Sequence, residues 1–229
     1  VKDYRQQQFL KLPNVEIFLK SKLQTNDILD TDVNHVVIAT GAKWRSDGFG
    51  RSNTLPIKKL NNHINVFTPD DIMQGKLPSG EVVVFDDDYY YLAPIIAEML
   101  QKNGCNVTYV TTSSLVCEFG NYTSEQFNVQ KSLINSGVKL IFSNNILSYE
   151  KKDLNLSCVY SNKITNIKLD ALVMITSRIP NDKLYYELID QINDSNKFSS
   201  ITRIGDCLAP ATIASAVYDG RKYAMEFDD

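Results

Sequence analysis

The chain has 229 residues, 43% of them apolar and 22% charged, with a net charge of −3. That is enough apolar material for a real core in one large domain or two small ones. The mild acidity gives no electrostatic reason to expect nucleic acid or anionic lipid as a partner; no apolar run reaches membrane-spanning length and no signal peptide is visible, so a cytoplasmic protein is expected.

A helix is predicted over Tyr4 to Leu12 and a strand over Val15 to Phe18. His35-Val36-Val37-Ile38-Ala39 reads as a strong buried strand; it ends in Thr40-Gly41 and runs into a polar loop rich in Gly, Ser and Asn. Glu81 to Phe85 reads as a second buried strand, Leu92 to Lys102 as the helix that returns from it, and Asn106 to Val110 as the next strand. Together they make a strand-helix-strand unit of the dinucleotide-binding kind. A helix near Ser124 to Asn135 and a strand at Val138 to Phe142 follow. Three short alternating runs come next, around Ile146 to Tyr149, Leu154 to Tyr160 and Lys163 to Lys168, before an apolar strand at Ala171 to Ile175. The chain closes with a strand (Ile201 to Ile204), a Gly205-Asp206 turn and a helix from about Ala211 to Phe227.

The junction after Phe85 carries the most information. A working dinucleotide site has a Gly-x-Gly-x-x-Gly turn there, so that backbone N–H groups can touch a diphosphate. This chain has Asp86-Asp87-Asp88-Tyr89-Tyr90-Tyr91 instead. Three carboxylates repel a diphosphate and three tyrosines block close approach, so neither NAD(P)H nor FAD is expected to bind tightly. Thr111 stands where an acidic residue would hold a ribose.

Two further motifs frame that unit. Ala39-Thr40-Gly41 is a small-residue turn at a strand end, a shape that lets a flat ligand approach the backbone. Gly205-Asp206 places a carboxylate at a strand end ahead of a helix, where it can accept hydrogen bonds from ligand hydroxyls. Their order, strand-Ala-Thr-Gly, an inserted nucleotide-binding-like domain, then strand-Gly-Asp-helix, is the layout of flavoprotein disulfide-reductase-type oxidoreductases. The expected fold is therefore α/β, with two Rossmann-like three-layer domains. Residues 1–78 and 178–229 form the first, incomplete and discontinuous; residues 79–177 form the second, inserted and degenerate in its glycine motif. Ile38-Ala39-Thr40 should lie beside Arg203-Ile204-Gly205 to complete one sheet.

Ala39 to Trp44, Asp47-Gly48, and Thr68-Pro69-Asp70-Asp71-Ile72-Met73-Gln74-Gly75-Lys76 resemble the C-terminal part of the trimethylamine, dimethylamine and histamine dehydrogenase family. Asp3-Tyr4-Arg5, Ala93-Pro94 with Ala97-Glu98, Leu172-Val173 with Thr176 and Arg178, and Ile204-Gly205-Asp206 with Ala209-Pro210 and Gly220-Arg221 are similar to the same proteins. The loss of glycines after Phe85 fits that family too; the related dienoyl-CoA reductases keep them and use NADPH.

The resemblance implies a parent oxidoreductase that oxidises an amine in an FMN-carrying β/α barrel. Electrons would pass through a [4Fe–4S] cluster to an electron-transfer flavoprotein. FMN and the cluster belong to an upstream part not contained here, and this chain, which opens at Val1 without a methionine, is read as a piece of something longer. It also implies ADP, held weakly by Ala39, Thr40, Gly41, Gly205 and Asp206, since the phosphate turn of that first domain would lie upstream. The implied partners are the chain's own barrel domain, an electron-transfer flavoprotein and a second copy, because family members are commonly dimers.

Plainer readings stand beside these. Asp206 would flank a helix with or without a ligand. Asp86 to Asp88 are read as partners of a helix dipole in preference to a metal site. His35 and His63 have no acid or nucleophile in register, and Trp44 is read as packing. Cys105, Cys117, Cys158 and Cys207 lack any C-x-x-C spacing and are read as reduced, mostly buried thiols. No residue set for catalysis or metal ligation emerges. Two functional readings result: the non-catalytic C-terminal portion of an amine dehydrogenase, or a vestigial nucleotide-binding fold serving as an interaction and assembly module.

Overall fold

A computed structural model describes residues 2–57, 60, 65–150, 153–192 and 197–227; His63 lies outside them. In chain order the elements are α1 (Lys2–Phe9), α2 (Thr25–Leu29), β1 (His35–Ile38), β2 (Ala42–Trp44), β3 (Asn65–Phe67), α3 (Pro69–Met73), β4 (Glu81–Asp86), α4 (Leu92–Lys102) and β5 (Asn106–Thr111). They continue with α5 (Gln126–Asn135), β6 (Lys139–Ile141), β7 (Asn144–Glu150), β8 (Asp153–Cys158), β9 (Ile164–Lys168), β10 (Ala171–Ile175), β11 (Arg178–Pro180), α6 (Lys183–Ile192), β12 (Ser200–Arg203) and α7 (Ile213–Glu226). The chain divides into two compact units, residues 1–38 with 182–204 and residues 39–181 with 205–229.

In the first unit β1 and β12 pair in parallel, His35 opposite Ser200 and Ile38 opposite Arg203. The Ile204 N–H continues the ladder to the Ile38 carbonyl at 3.1 Å, so the expected neighbourhood of these two strand ends is present. Ile28, Ile38, Leu188 and Phe198 are its buried apolar side chains. The Thr25 hydroxyl donates to Glu187 across α2 and α6 at 2.9 Å. Arg203 pairs with Asp182 at 2.8 Å while lying over the Tyr185 ring. The strand expected at Val15 to Phe18 does not form: that stretch pairs with no strand among the described residues, and Val15, Ile17 and Phe18 are exposed. Alternation alone cannot make a strand without a neighbour to share its backbone hydrogen bonds.

The second unit is built on a five-stranded sheet in the order β3-β10-β4-β5-β6. Every adjacent pair in it is parallel. Its edge strand β3 comes from upstream of residue 79. Side chains alternate across the pleat. Val82, Val84, Val107, Tyr109, Ala171, Val173 and Ile175 meet Ala93, Ile96, Ala97 and Leu100 of α4 on one face. Val83, Phe85, Val110, Leu172 and Met174 meet Ile146, Tyr149, Leu154 and Leu156 on the other. The latter residues come from the antiparallel sheet β7-β8-β9, so the large sheet is sandwiched between helices and a small sheet. Covering both faces is what permits near-continuous apolar strands such as β4 and β10.

Candidate functional site

The carboxyl ends of β4, β5 and β10 are where an open parallel sheet presents a ligand crevice. Here three backbone donors of the β4 turn are already committed. The Asp87 N–H donates to the Ile175 carbonyl at 2.8 Å, and the Asp88 and Tyr89 N–H groups both donate to Asp86 Oδ1 at 3.0 Å. Asp86 Oδ2 accepts the Tyr109 hydroxyl in a very short bond. Both side chains are fully buried. Burial pushes the Asp86 carboxyl up to about 7, against the pull of the Tyr109 hydroxyl and the two N–H groups, which favour the ionised form. Burial also raises Asp88, opposed by the charges of Arg178 and Arg51.

Asp87 is buried and looks outward to the loop that follows β2. Its Oδ2 accepts the Ser52 N–H at 2.9 Å; its Oδ1 accepts the Ser52 hydroxyl at 2.5 Å and the Tyr89 hydroxyl at 3.2 Å. Thr112 joins them, 2.6 Å from the Tyr89 hydroxyl. Tyr90 packs on Phe119 with ring centroids 4.9 Å apart, and the Arg51 guanidinium lies 5.2 Å from the Phe119 centroid. A diphosphate would find these three N–H groups taken and a buried carboxylate in its path. The residues present do not fit a nicotinamide dinucleotide.

The second place is the pair of turns Ala39-Thr40-Gly41 and Gly205-Asp206. Thr40 donates its hydroxyl to the Asn181 carbonyl at 2.5 Å and lies 3.2 Å from Cys207 Sγ, which brings the two turns together. The Asn181 N–H donates to the Gly41 carbonyl at 2.9 Å. Gly41 has φ +74° and open space where a Cβ would stand. Ala39 and Thr40 are exposed and Gly205 is buried. Asp206 is engaged at the start of the following turn. Its Oδ2 accepts Arg178 Nη1 at 2.5 Å and its Oδ1 accepts the Ala211 N–H at 3.0 Å, while Arg178 Nη2 donates to the Ala211 carbonyl at 2.6 Å. Arg178 in turn lies 5.3 Å from the centroid of the Trp44 ring, one residue opposite it in the β2–β11 pair. Gly41 leaves its turn open, and Asp206 is engaged in ordering the 206–211 turn.

The reading from sequence pointed to Asp86 to Asp88 and to the two turns, and missed Ser52, Thr112, Asn181 and the role of Arg178. Gly48 and Gly50, flanking Phe49 in an otherwise irregular loop, were the visible sign of a close backbone approach. Among the described residues no group of three or more His, Cys, Asp or Glu side chains is placed to hold a metal ion, and no helix is long and apolar enough to cross a membrane.

Residues 67–171 match the OYE-like second alpha/beta domain. Dimethylamine dehydrogenase of Hyphomicrobium sp. (strain x) is 32% identical over all of this chain and 34% of its own length. The histamine dehydrogenase structure from Rhizobium sp. 4-9 is 36% identical with a TM-score of 0.95, covering 100% of this chain and 36% of that one. The chain is homologous to these amine dehydrogenases. The 6-hydroxypseudooxynicotine amine oxidase of Pseudomonas geniculata N1 is 38% identical with a TM-score of 0.94, over 99% of this chain and 34% of that one. The chain thus spans about a third of the length of the relatives it matches. A flavoprotein disulfide reductase from Escherichia coli, 17% identical with a TM-score of 0.56 over 84% of this chain and 44% of that one, shares the fold.

Proposed function

We propose that the chain is the C-terminal, non-catalytic portion of an amine dehydrogenase-type oxidoreductase. The parent would oxidise an amine by oxidative N-demethylation or deamination in an upstream barrel and pass electrons through FMN and a [4Fe–4S] cluster to an electron-transfer flavoprotein. In this reading residues 1–78 and 178–229 belong to an incomplete ADP-binding domain, and the inserted domain holds no NAD(P) or FAD. ADP, if retained, sits weakly along Ala39, Thr40 and Gly41, with Gly205 and Asp206 shaping the opposite turn. The parent is cytoplasmic and, like its family, a dimer. One observation carries the reading: end-to-end likeness to amine-oxidising relatives at 32% to 38% identity. The committed turn donors of Asp87, Asp88 and Tyr89 support the inserted domain's part in it.

The exposed apolar side chains of the first unit support a docking role for that unit within the parent. Leu10 is 87% exposed, Phe18 76% and Leu19 74%. The chain's own barrel domain is the proposed partner.

Calorimetric titration with NADH, NADPH, FAD and ADP, read together with the visible spectrum and dye reduction by methylated amines or histamine, tests the proposal. The expected result is a colourless, inactive chain with at most weak ADP binding. A micromolar dissociation constant for NADH, or a flavin spectrum bleached by amine, would overturn it.

A further inference from the structure

Glycine and amide N–H groups approaching an anion are the working parts of a dinucleotide turn. The same parts meet at the β4 turn with their owners exchanged. The anion is Asp87 of the turn, and the amide is that of Ser52 in the loop above it, 2.9 Å away. The close-approach glycine is Gly50. A Cβ there would stand 2.4 Å from Asp87 Oδ2 and 3.1 Å from the Thr176 Cβ, so only a bare backbone can lie so near the turn. The Ser177 hydroxyl ties down the same loop by donating to the Phe49 carbonyl at 2.7 Å. Arg51 extends it over the Tyr89 and Phe119 rings, 5.7 Å and 5.2 Å from their centroids.

Beneath the loop, at the end of β10, the Thr176 hydroxyl is buried with no hydrogen-bond partner. Thr176 is only 3% exposed, so the crevice floor is closed to solvent beneath the loop.

We propose that residues 49–53 form a built-in strap that occupies the nucleotide crevice and is latched there by Asp87. Nucleotides are then shut out by a segment of the chain itself, not by the charge of the acidic turn alone. The inference rests on the reading of this turn as free of nucleotide, and adds what fills the place.

The test places a thiol on the crevice floor by Thr176→Cys and follows its reaction with an anionic aryl disulfide. Half-exposed Cys158 is removed by Cys158→Ser, and in a second sample retained as the internal reference; Cys105, Cys117 and Cys207 are buried. With the strap latched, the introduced thiol reacts far more slowly than Cys158. Ser52→Ala removes the hydroxyl contacts from an exposed residue whose loss does not threaten the fold, and Asp87→Asn weakens the charge-assisted bonds. Each should raise the rate by about tenfold, the effect of losing one or two hydrogen bonds on a local opening. Amide exchange of Val83 and Val84 should stay as in the parent, which separates opening of the strap from unfolding. An introduced thiol that reacts like Cys158 with the latch intact, or no faster once it is cut, overturns the strap. NADH titrated against the parent chain judges the other reading separately: binding there would sink the nucleotide-free turn, whatever the thiol does.

Discussion

β1 and β4 are alike as sequences: His35-Val36-Val37-Ile38 and Val82-Val83-Val84-Phe85 are both short and dominated by apolar, β-branched residues. Their surroundings differ. β4 lies between β10 and β5, with helices on one face and the β7-β8-β9 sheet on the other, and Val84 and Phe85 have no exposed surface. Among the described residues β1 pairs only with β12, and Val37 is 38% exposed. The apolar run decides that a strand forms; the neighbours decide how much apolar burial it gains. Per residue, the sheet of the second unit should therefore carry far more stability than the strand pair of the first.

The sharpest way to break that comparison is a pair of truncations. Phe85→Ala should destabilise the second unit by about 3–5 kcal/mol, because a fully buried ring is replaced by a cavity. Val37→Ala should change the first unit by about 0.5 kcal/mol or less, as at other partly exposed positions. Two units need not unfold together, so amide exchange read separately in β1 and β4 is the measurement. Equal losses at the two sites would end the distinction.

A second effect belongs to β4 alone. Asp86 titrates near 7 in the fold and near 3.8 in a solvated chain. The folded state thus holds a proton that the unfolded state has released, and stability declines as pH rises from about 4 to about 7, then levels off. The groups facing Asp86 are Asp88, Tyr109 and Cys117, all raised by burial. Asp88 steepens the same decline, while Tyr109 and Cys117 stay neutral through this window. Asp86→Asn should flatten most of a slope amounting to a few kcal/mol between pH 5 and 8. Urea unfolding at those two pH values checks it; an unchanged slope would put the proton elsewhere.

The smallest expected effect lies at the turn held by Arg178. Arg178→Lys keeps the charge but loses the planar fork that serves Asp206 and the Ala211 carbonyl together, and it loses the overlap with Trp44. The cost should be only about 1 kcal/mol, since the pair is partly solvated. Trp44 is the single tryptophan, so its emission should shift even where stability barely moves. Unaltered emission would mean that Arg178 and the ring are independent.

Elements that bury both faces could be read directly from sequence. Glu81 to Phe85, Leu92 to Lys102, Asn106 to Val110 and Ala171 to Ile175 are long apolar or amphipathic runs with clear ends, and they match β4, α4, β5 and β10 closely. Of the three-residue strands, β2, β3 and β11 carry no pattern of their own and exist because a partner lies alongside. α6 escaped notice although Leu184, Leu188 and Ile192 recur at helical spacing along Lys183–Ile192. α3 could have been found: Thr68 followed by Pro69 and Asp71 is a capping box, and the structure shows both of its hydrogen bonds. At the candidate sites, the absence of glycines after Phe85 was legible, as was the meeting of the two strand ends. The Asp87–Ser52 contact spans 35 positions, and no local pattern encodes it.

Gly48 gives the loop after β2 an evolutionary asymmetry. Its φ is +80°, and an added Cβ would stand 2.3 Å from the Ile57 Cδ1 and 2.9 Å from the Met174 Cε. Another residue there would be strained in its backbone and would have to displace the Ile57 and Met174 side chains. Thr54 and Leu55, on the outer side of the same loop, are exposed. Among descendants of this sequence the outer positions can drift one at a time, each at small cost. The glycine can change only together with Ile57 and Met174, which makes it a fixed point around which the loop's history must be written.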